Sequence, residues 1–224
     1  MTSRNPEVVN LCFHGIGTPG RRLEPDEARY WVDEAQFEEL LAVVARSPRL
    51  RVTFDDGNAS DAAVALPVLE RLGVHASFFV LAGRIGRPGS LGAADVRQLA
   101  AAGMTVGCHG LLHRSWRALD SAGLREELVE ARDAIAEAAG TPVDQASCPF
   151  GAYDRRVLRA LRGHGFVRVY TVDEGPARPG AWLQSRYTVL DSDTPASIER
   201  LGAGDDGLAK KAARSLRCAV KRWR

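Results

Sequence analysis

Residues 50–80 read "LRVTFDDGNASDAAVALPVLERLGVHASFFV". The apolar run at 50–54 ends against two adjacent acids, Asp55 and Asp56, and then Gly57. A helix-length segment follows at 58–72, and a second apolar run occupies 75–80. Strand, helix, strand joined by short turns is the pattern of a parallel sheet with crossover helices. The same alternation recurs on either side. Further strands are expected at 8–13, 104–108, 145–150 and 166–172, with a weaker one within 182–190. Further helices are expected at 33–46, 92–102, 120–139 and 153–163. About seven such repeats in 224 residues favour an α/β barrel, complete or incomplete, over an open doubly wound sheet.

Bulk properties narrow the function. Hydrophobic content of 45% and charged content of 26% are those of an ordinary globular chain. A net charge of +2 is too small to imply a nucleic-acid partner. No glycine-rich phosphate loop follows a strand, so nucleotide binding lacks its usual support. The opening "MTSRNPEVVNLCFHGIG" does not read as a signal peptide, and no stretch approaches the roughly 18 apolar residues that span a bilayer. A cytoplasmic location is therefore expected. The four cysteines, Cys12, Cys108, Cys148 and Cys218, form no CxxC pair, and no disulfide framework is expected. One domain, the barrel, is expected over 1–205. The remainder, 206–224, is rich in Lys and Arg, and apolar residues recur at helical spacing between Leu208 and Trp223. It reads as a basic amphipathic helix, either packed on the barrel or in weak peripheral contact with an anionic membrane through 208–224.

In a barrel of this kind, function gathers where strands end. Reading past each expected strand gives His14, then Asp55 and Asp56, then His109 and His113, then "CPFGAYD", then Asp173 and Glu174. If "HGLLH" (109–113) begins a helix, its two histidines share one face with Cβ atoms about 6 Å apart, and both can reach one metal. Two histidines and one aspartate leave a coordination position open, as catalysis by zinc requires, and the other aspartate can accept a proton from water. Taken singly, the features have plainer readings: DD is a common turn or helix cap, and two histidines need not be related. His75 and His164 sit at the opposite ends of their units and read as structural.

"TFDDG" (53–57), "HGLLH" (109–113) and "CPFG" (148–151), in this order, resemble the three leading motifs of the metal-dependent polysaccharide deacetylases, carbohydrate esterase family four. The first motif matches residue for residue. In the second, Gly110 replaces the usual hydroxyl residue. In the third, Pro149, Phe150 and Gly151 match, but Ser147 stands where an arginine is usual. The resemblance implies a distorted (β/α)7 barrel. It implies Asp55 as general base, and Asp56, His109 and His113 as ligands of one divalent metal. Zinc is the first choice, and Co2+, Ni2+ or Fe2+ also suit the donor set. It implies hydrolysis of an N-acetyl group on an amino sugar by metal-activated water, with a backbone amide near Phe150–Gly151 helping to hold the oxyanion.

Two departures carry expectations of their own. The family's late histidine, a general acid, has no counterpart here, since no histidine follows His164. His14, in "LCFHGIG", is expected to replace it from across the site, as in a branch of the family whose acid precedes TFDDG, with Asp173 orienting its ring. Arg186, in "QSRYTVL", is expected to replace the missing arginine beside the base. Two other readings remain: another C–N hydrolase acting on a small natural-product or cyclic amide, or an idle family member that binds glycan or a partner. The sequence leaves the oligomeric state open.

Overall fold

The computed structural model describes residues 7–204 and Lys221. Parallel strands Val9–Phe13 (β1), Leu50–Asp56 (β4), Ala76–Val80 (β5), Thr105–Cys108 (β6), Gln145–Ser147 (β7), Arg168–Thr171 (β8) and Leu183–Thr188 (β9) form one closed barrel in that order. Closure comes from β9 pairing with β1, Asn10 opposite Arg186 and Cys12 opposite Thr188. The fold is thus the seven-stranded member of the expected class, a distorted (β/α)7 barrel in a single domain, and it is complete rather than open.

Alternation along β4 shows how the barrel is built. Phe54 points outward into a ladder of rings, stacked on Phe78 at 4.6 Å and on Phe13 at 5.6 Å, with Phe37 of the first helix edge-on to Phe13 at 5.3 Å. Burying each such ring contributes roughly 1.5–3 kcal/mol. Thr53 and Asp55, of opposite parity, therefore face the lumen. The same rule brings Ser147, Tyr170 and Arg186 inside.

The helices Glu34–Arg46 (α1), Leu66–Leu72 (α2), Ala93–Ala101 (α3), Ser121–Arg125 (α4), Ala131–Ala139 (α5), Arg155–Gly163 (α6) and Pro195–Ala203 (α7) pack outside. Side-chain caps start several of them: Asp33 accepts from Gln36 N, and Asp154 from Val157 N. The span expected at 58–72 begins with a π-turn, Asp61–Ala65, and that at 120–139 contains another, Glu126–Glu130. An added residue per turn rotates the side chains that follow it, and both turns lie near the barrel mouth.

Three features depart from the sequence reading. The short parallel pair Gly15–Ile16 (β2) and Trp31–Val32 (β3) was not foreseen, and it closes the 17–30 segment into a flap. Only glycine fits at 15, because a Cβ there would lie 2.2 Å from the Trp31 indole. The strand expected at 145–150 stops at Ser147, since Pro149 has no N–H to offer a ladder and the chain turns through Pro149–Gly151. The α7 helix was also missed. The basic helix expected over 206–224 lies outside the described residues, apart from Lys221. Among the described residues, no helix is long and apolar enough to cross a membrane.

Candidate metal centre

At the C-terminal mouth of the barrel, β4 ends in Asp55 and Asp56, both buried. The backbone bends sharply here: Asp56 has φ 78° and Gly57 φ 70°. A left-handed conformation is uncommon for aspartate and strains the chain locally. It turns the Asp56 carboxylate toward two histidines. Asp56 Oδ1 lies 3.6 Å from His109 Nε2 and 3.6 Å from His113 Nε2, with the two rings 5.3 Å apart.

These separations exceed those of hydrogen bonds. Donors about 2.1 Å from an ion at tetrahedral angles stand about 3.4 Å from one another, so the spacing suits a shared cation. The chemistry of each donor agrees. Asp56 Oδ1 is buried and has no hydrogen-bond partner. His109 Nδ1 lies 3.0 Å from the Ser147 carbonyl oxygen, which selects the tautomer protonated there and leaves the Nε2 lone pair facing the centre. Burial lowers the His109 imidazole to about 4, so it is neutral and able to ligate at ordinary pH.

The two histidines do not meet by helical spacing. The expectation of a helix at "HGLLH" is corrected: 109–113 is a loop, with Gly110 at φ 99° and His113 at φ 55°. A carboxylate that the sequence reading passed over supports this loop from outside. Glu127, fully buried in the second π-turn, accepts from Leu111 N at 2.7 Å, from Leu112 N at 3.3 Å and from Arg114 Nε at 2.8 Å.

Asp55 is held differently. Arg186 reaches it from β9 with two parallel bonds, Nη1 to Oδ1 and Nη2 to Oδ2, each 2.7 Å. Ser147 Oγ donates to Asp55 Oδ2 at 3.0 Å and accepts from Arg186 Nη2 at 2.6 Å. The serine found in place of an arginine thus belongs to the same cluster. Burial works against the Asp55 charge, but the guanidinium and then His109 outweigh it and keep the carboxyl well below its usual range.

His14 follows β1 and lines the same cavity, of about 310 Å³, as the two aspartates and the two histidines. The sequence reading set it across the centre from Asp55. A His14 ring nitrogen in fact lies within 4.8 Å of an Asp55 oxygen and of Cys12 Sγ. Its ring packs against Tyr30 of the flap at 5.1 Å, and its Nδ1 is buried without a hydrogen-bond partner. Cys12, His14 and Asp55 make a poor second cation site. Burial keeps the Cys12 thiol protonated, and Arg186 already neutralises Asp55. Cys108 and Cys148 are likewise buried and free, and burial pushes the Cys108 thiol up to about 12.

Asp173, expected to orient His14, is engaged elsewhere. It accepts from Tyr153 Oη at 2.6 Å and Thr171 Oγ1 at 2.9 Å, and pairs with Lys221 Nζ at 2.6 Å. Pro149, Phe150 and Gly151 form a tight turn beside the histidines. Phe150, at φ 58°, lays its 59% exposed side chain against His113, ring to ring at 4.3 Å. Gly151 cannot carry a side chain, because a Cβ would lie 2.3 Å from Val172 Cγ2. Tyr30 and Arg84 complete the cavity wall, with Arg84 Nη2 paired to Glu24 at 3.0 Å. Neither carried a motif that could mark it. Asp61, in the first π-turn, was also missed. It is fully buried, and burial together with Asp56 and Asp55 pushes its carboxyl well above the usual range.

A seven-stranded barrel with a His–His–Asp donor set and a second carboxylate at its mouth defines a class of metal-dependent hydrolase. Residues 43–169 match the family described as polysaccharide deacetylase. The chitooligosaccharide deacetylase of Rhizobium leguminosarum bv. trifolii is 31% identical over 155 residues, covering 68% of this chain and 69% of that one. YxkH of Bacillus subtilis (strain 168), named as a polysaccharide deacetylase, is 25% identical over 126 residues; the match covers 56% of this chain but only 45% of YxkH. Among solved structures, the Streptococcus pyogenes deacetylase PplD in complex with acetate superposes with TM-score 0.75 at 18% identity, covering 88% of this chain and 98% of that one, a likeness of fold. The chain belongs to the polysaccharide deacetylase family. Family, fold and donor set point to a metal-dependent deacetylase acting on a C–N amide bond.

Proposed function

We propose that the protein removes an N-acetyl group from an amino sugar or a related glycan, using one zinc ion held by Asp56, His109 and His113. The observation that carries this reading is a pair of histidine nitrogens, each 3.6 Å from an unpartnered carboxylate oxygen, with a second carboxylate beside them. When bound, the metal supplies Lewis acidity, lowering the pKa of a water and polarising the amide carbonyl.

The chain's own residues do the rest. Asp55 takes the proton of the attacking water, and Arg186 and Ser147 fix the orientation of its carboxylate. The same arginine makes Asp55 a weak base in the resting protein, so the substrate complex must raise its basicity. His14 donates a proton to the departing amine, which would otherwise leave as a high-energy anion. Its unpartnered Nδ1, and its place in the cavity beside Asp55, support that role. Within the 149–151 turn, the Gly151 N–H is spent on Cys148 O at 2.9 Å, which leaves Phe150 N–H as the donor for a developing oxyanion. Tyr30 on one flank and the exposed Phe150 on the other offer apolar faces to a sugar ring.

Acetate release from a panel of acetylated amino sugars and oligosaccharides, with and without added zinc or cobalt, tests the reading. Metal-dependent release from at least one of them is expected. Release only from small cyclic amides would transfer the activity to another C–N hydrolase. Zinc binding without any hydrolysis would leave a binding protein.

A further inference from the structure

We propose that Glu127 is the positioning residue of the metal centre: it fixes the loop that carries both histidines, and the glycine at 110 leaves the room that its carboxylate occupies. The inference rests on the reading of His109 and His113 as ligands.

The loop that joins the histidines has few means of holding its shape. It is not a helix, so its backbone groups lack intrahelical partners, and two of its residues have positive φ. A ligand pair on such a loop binds metal well only if the backbone is fixed before the metal arrives. One side is secured by the barrel. His109 N donates to Val80 O at 2.8 Å, and the 110 and 111 carbonyls accept from Ala82 N and Gly83 N, each at 2.9 Å. Gly83 is needed for that approach, since a Cβ would come within 2.6 Å of Leu111 O.

The other side presents N–H groups, and Glu127 meets them. One fully buried carboxylate accepts from Leu111 N and Leu112 N, two of the three residues between the histidines, and from Arg114 Nε just beyond. Charge-assisted bonds to backbone N–H are roughly twice as strong as neutral ones. Glu127 comes so close that a Cβ at position 110 would lie 2.3 Å from its Oε2. A serine or threonine there would collide with it and would also be strained at φ 99°. Gly110 thus leaves free the space that the Glu127 carboxylate fills. Glu127 is carried on the π-turn Glu126–Glu130, between α4 and α5.

The test compares parent, E127Q, E127A and R114M proteins for zinc affinity by chelator competition, for the visible spectrum of the cobalt-loaded form, and for melting temperature without metal. E127Q keeps the shape but exchanges one acceptor oxygen for a donor. Both Glu127 variants are expected to lose metal affinity by roughly ten- to a hundredfold, the range for groups that orient ligands, with an altered cobalt spectrum. R114M should lose less, since the backbone bonds remain. If E127A does not fold, E127Q carries the comparison. Parent-like zinc affinity and cobalt spectrum in both folded Glu127 variants would overturn the proposal, even if their metal-free melting temperatures fell, because that pattern is purely structural. Failure of the parent itself to bind zinc or cobalt would instead overturn the ligand assignment.

Discussion

At the scale of single residues, Asp55 and Asp56 are neighbours in sequence with opposite fates. Parity sends Asp55 into the lumen onto Arg186, and a left-handed turn sends Asp56 to the histidines. Base and ligand should therefore be separable. D55N is expected to bind zinc as the parent does and to lose turnover by about a hundredfold or more, read by metal analysis beside acetate release. Loss of zinc in D55N would mean that both aspartates hold the ion. His14 is tested by leaving group. H14A should lose most activity on an N-acetyl amide and much less on an acetate ester with a good leaving group, which scarcely needs a proton. Equal losses on both would assign His14 to structure alone.

At the scale of elements, β9 has the largest effect on the site. It closes the barrel against β1 and carries Arg186 into the lumen beneath Asp55. Both members of this pair are almost wholly buried, at 0% and 3% side-chain exposure. Removing one partner strands the other charge, which costs about 3–5 kcal/mol. R186M should lower the urea midpoint accordingly. It should also move the acid limb of kcat/KM to higher pH, because the guanidinium no longer opposes the effect of burial on Asp55. An unmoved acid limb would mean that Asp55 is not the group titrating there.

At the scale of the whole molecule, several ionisable groups share one mouth, and their linkage should be visible in acid. The folded-state pKa of His109 lies at about 4 against an ordinary 6.5. Its contribution to stability is therefore complete above pH 6.5 and is lost as pH falls toward 4, where the unfolded chain takes up the proton first. Asp55 and Asp56, both lowered, add a loss of the same sign at lower pH. The metal-free protein should lose stability between about pH 6.5 and 4, and H109Q should flatten that stretch of the curve. Denaturant melts across this range decide it. An unchanged slope in H109Q would assign the loss to other groups.

The sequence alone determined the barrel class, because parallel strands buried between helices and lumen must be written as apolar runs separated by amphipathic ones. It also identified Asp55, Asp56, His109 and His113 as neighbours, because strand ends meet at one rim whatever the details. Its account of why the histidines converge was mistaken. Helical spacing was the local explanation, whereas the geometry comes from a loop braced by Glu127, 14 residues beyond His113 in the chain. Arg186 was legible only as a candidate, since nothing local in "QSRYTVL" says which carboxylate it will meet. Barrel closure decided that, by setting β9 beside β1. Tyr30, Arg84 and the turning of Asp173 to Tyr153, Thr171 and Lys221 were likewise decided by tertiary structure, because side chains that meet across a lumen or a flap leave no periodic trace in the chain that encodes them.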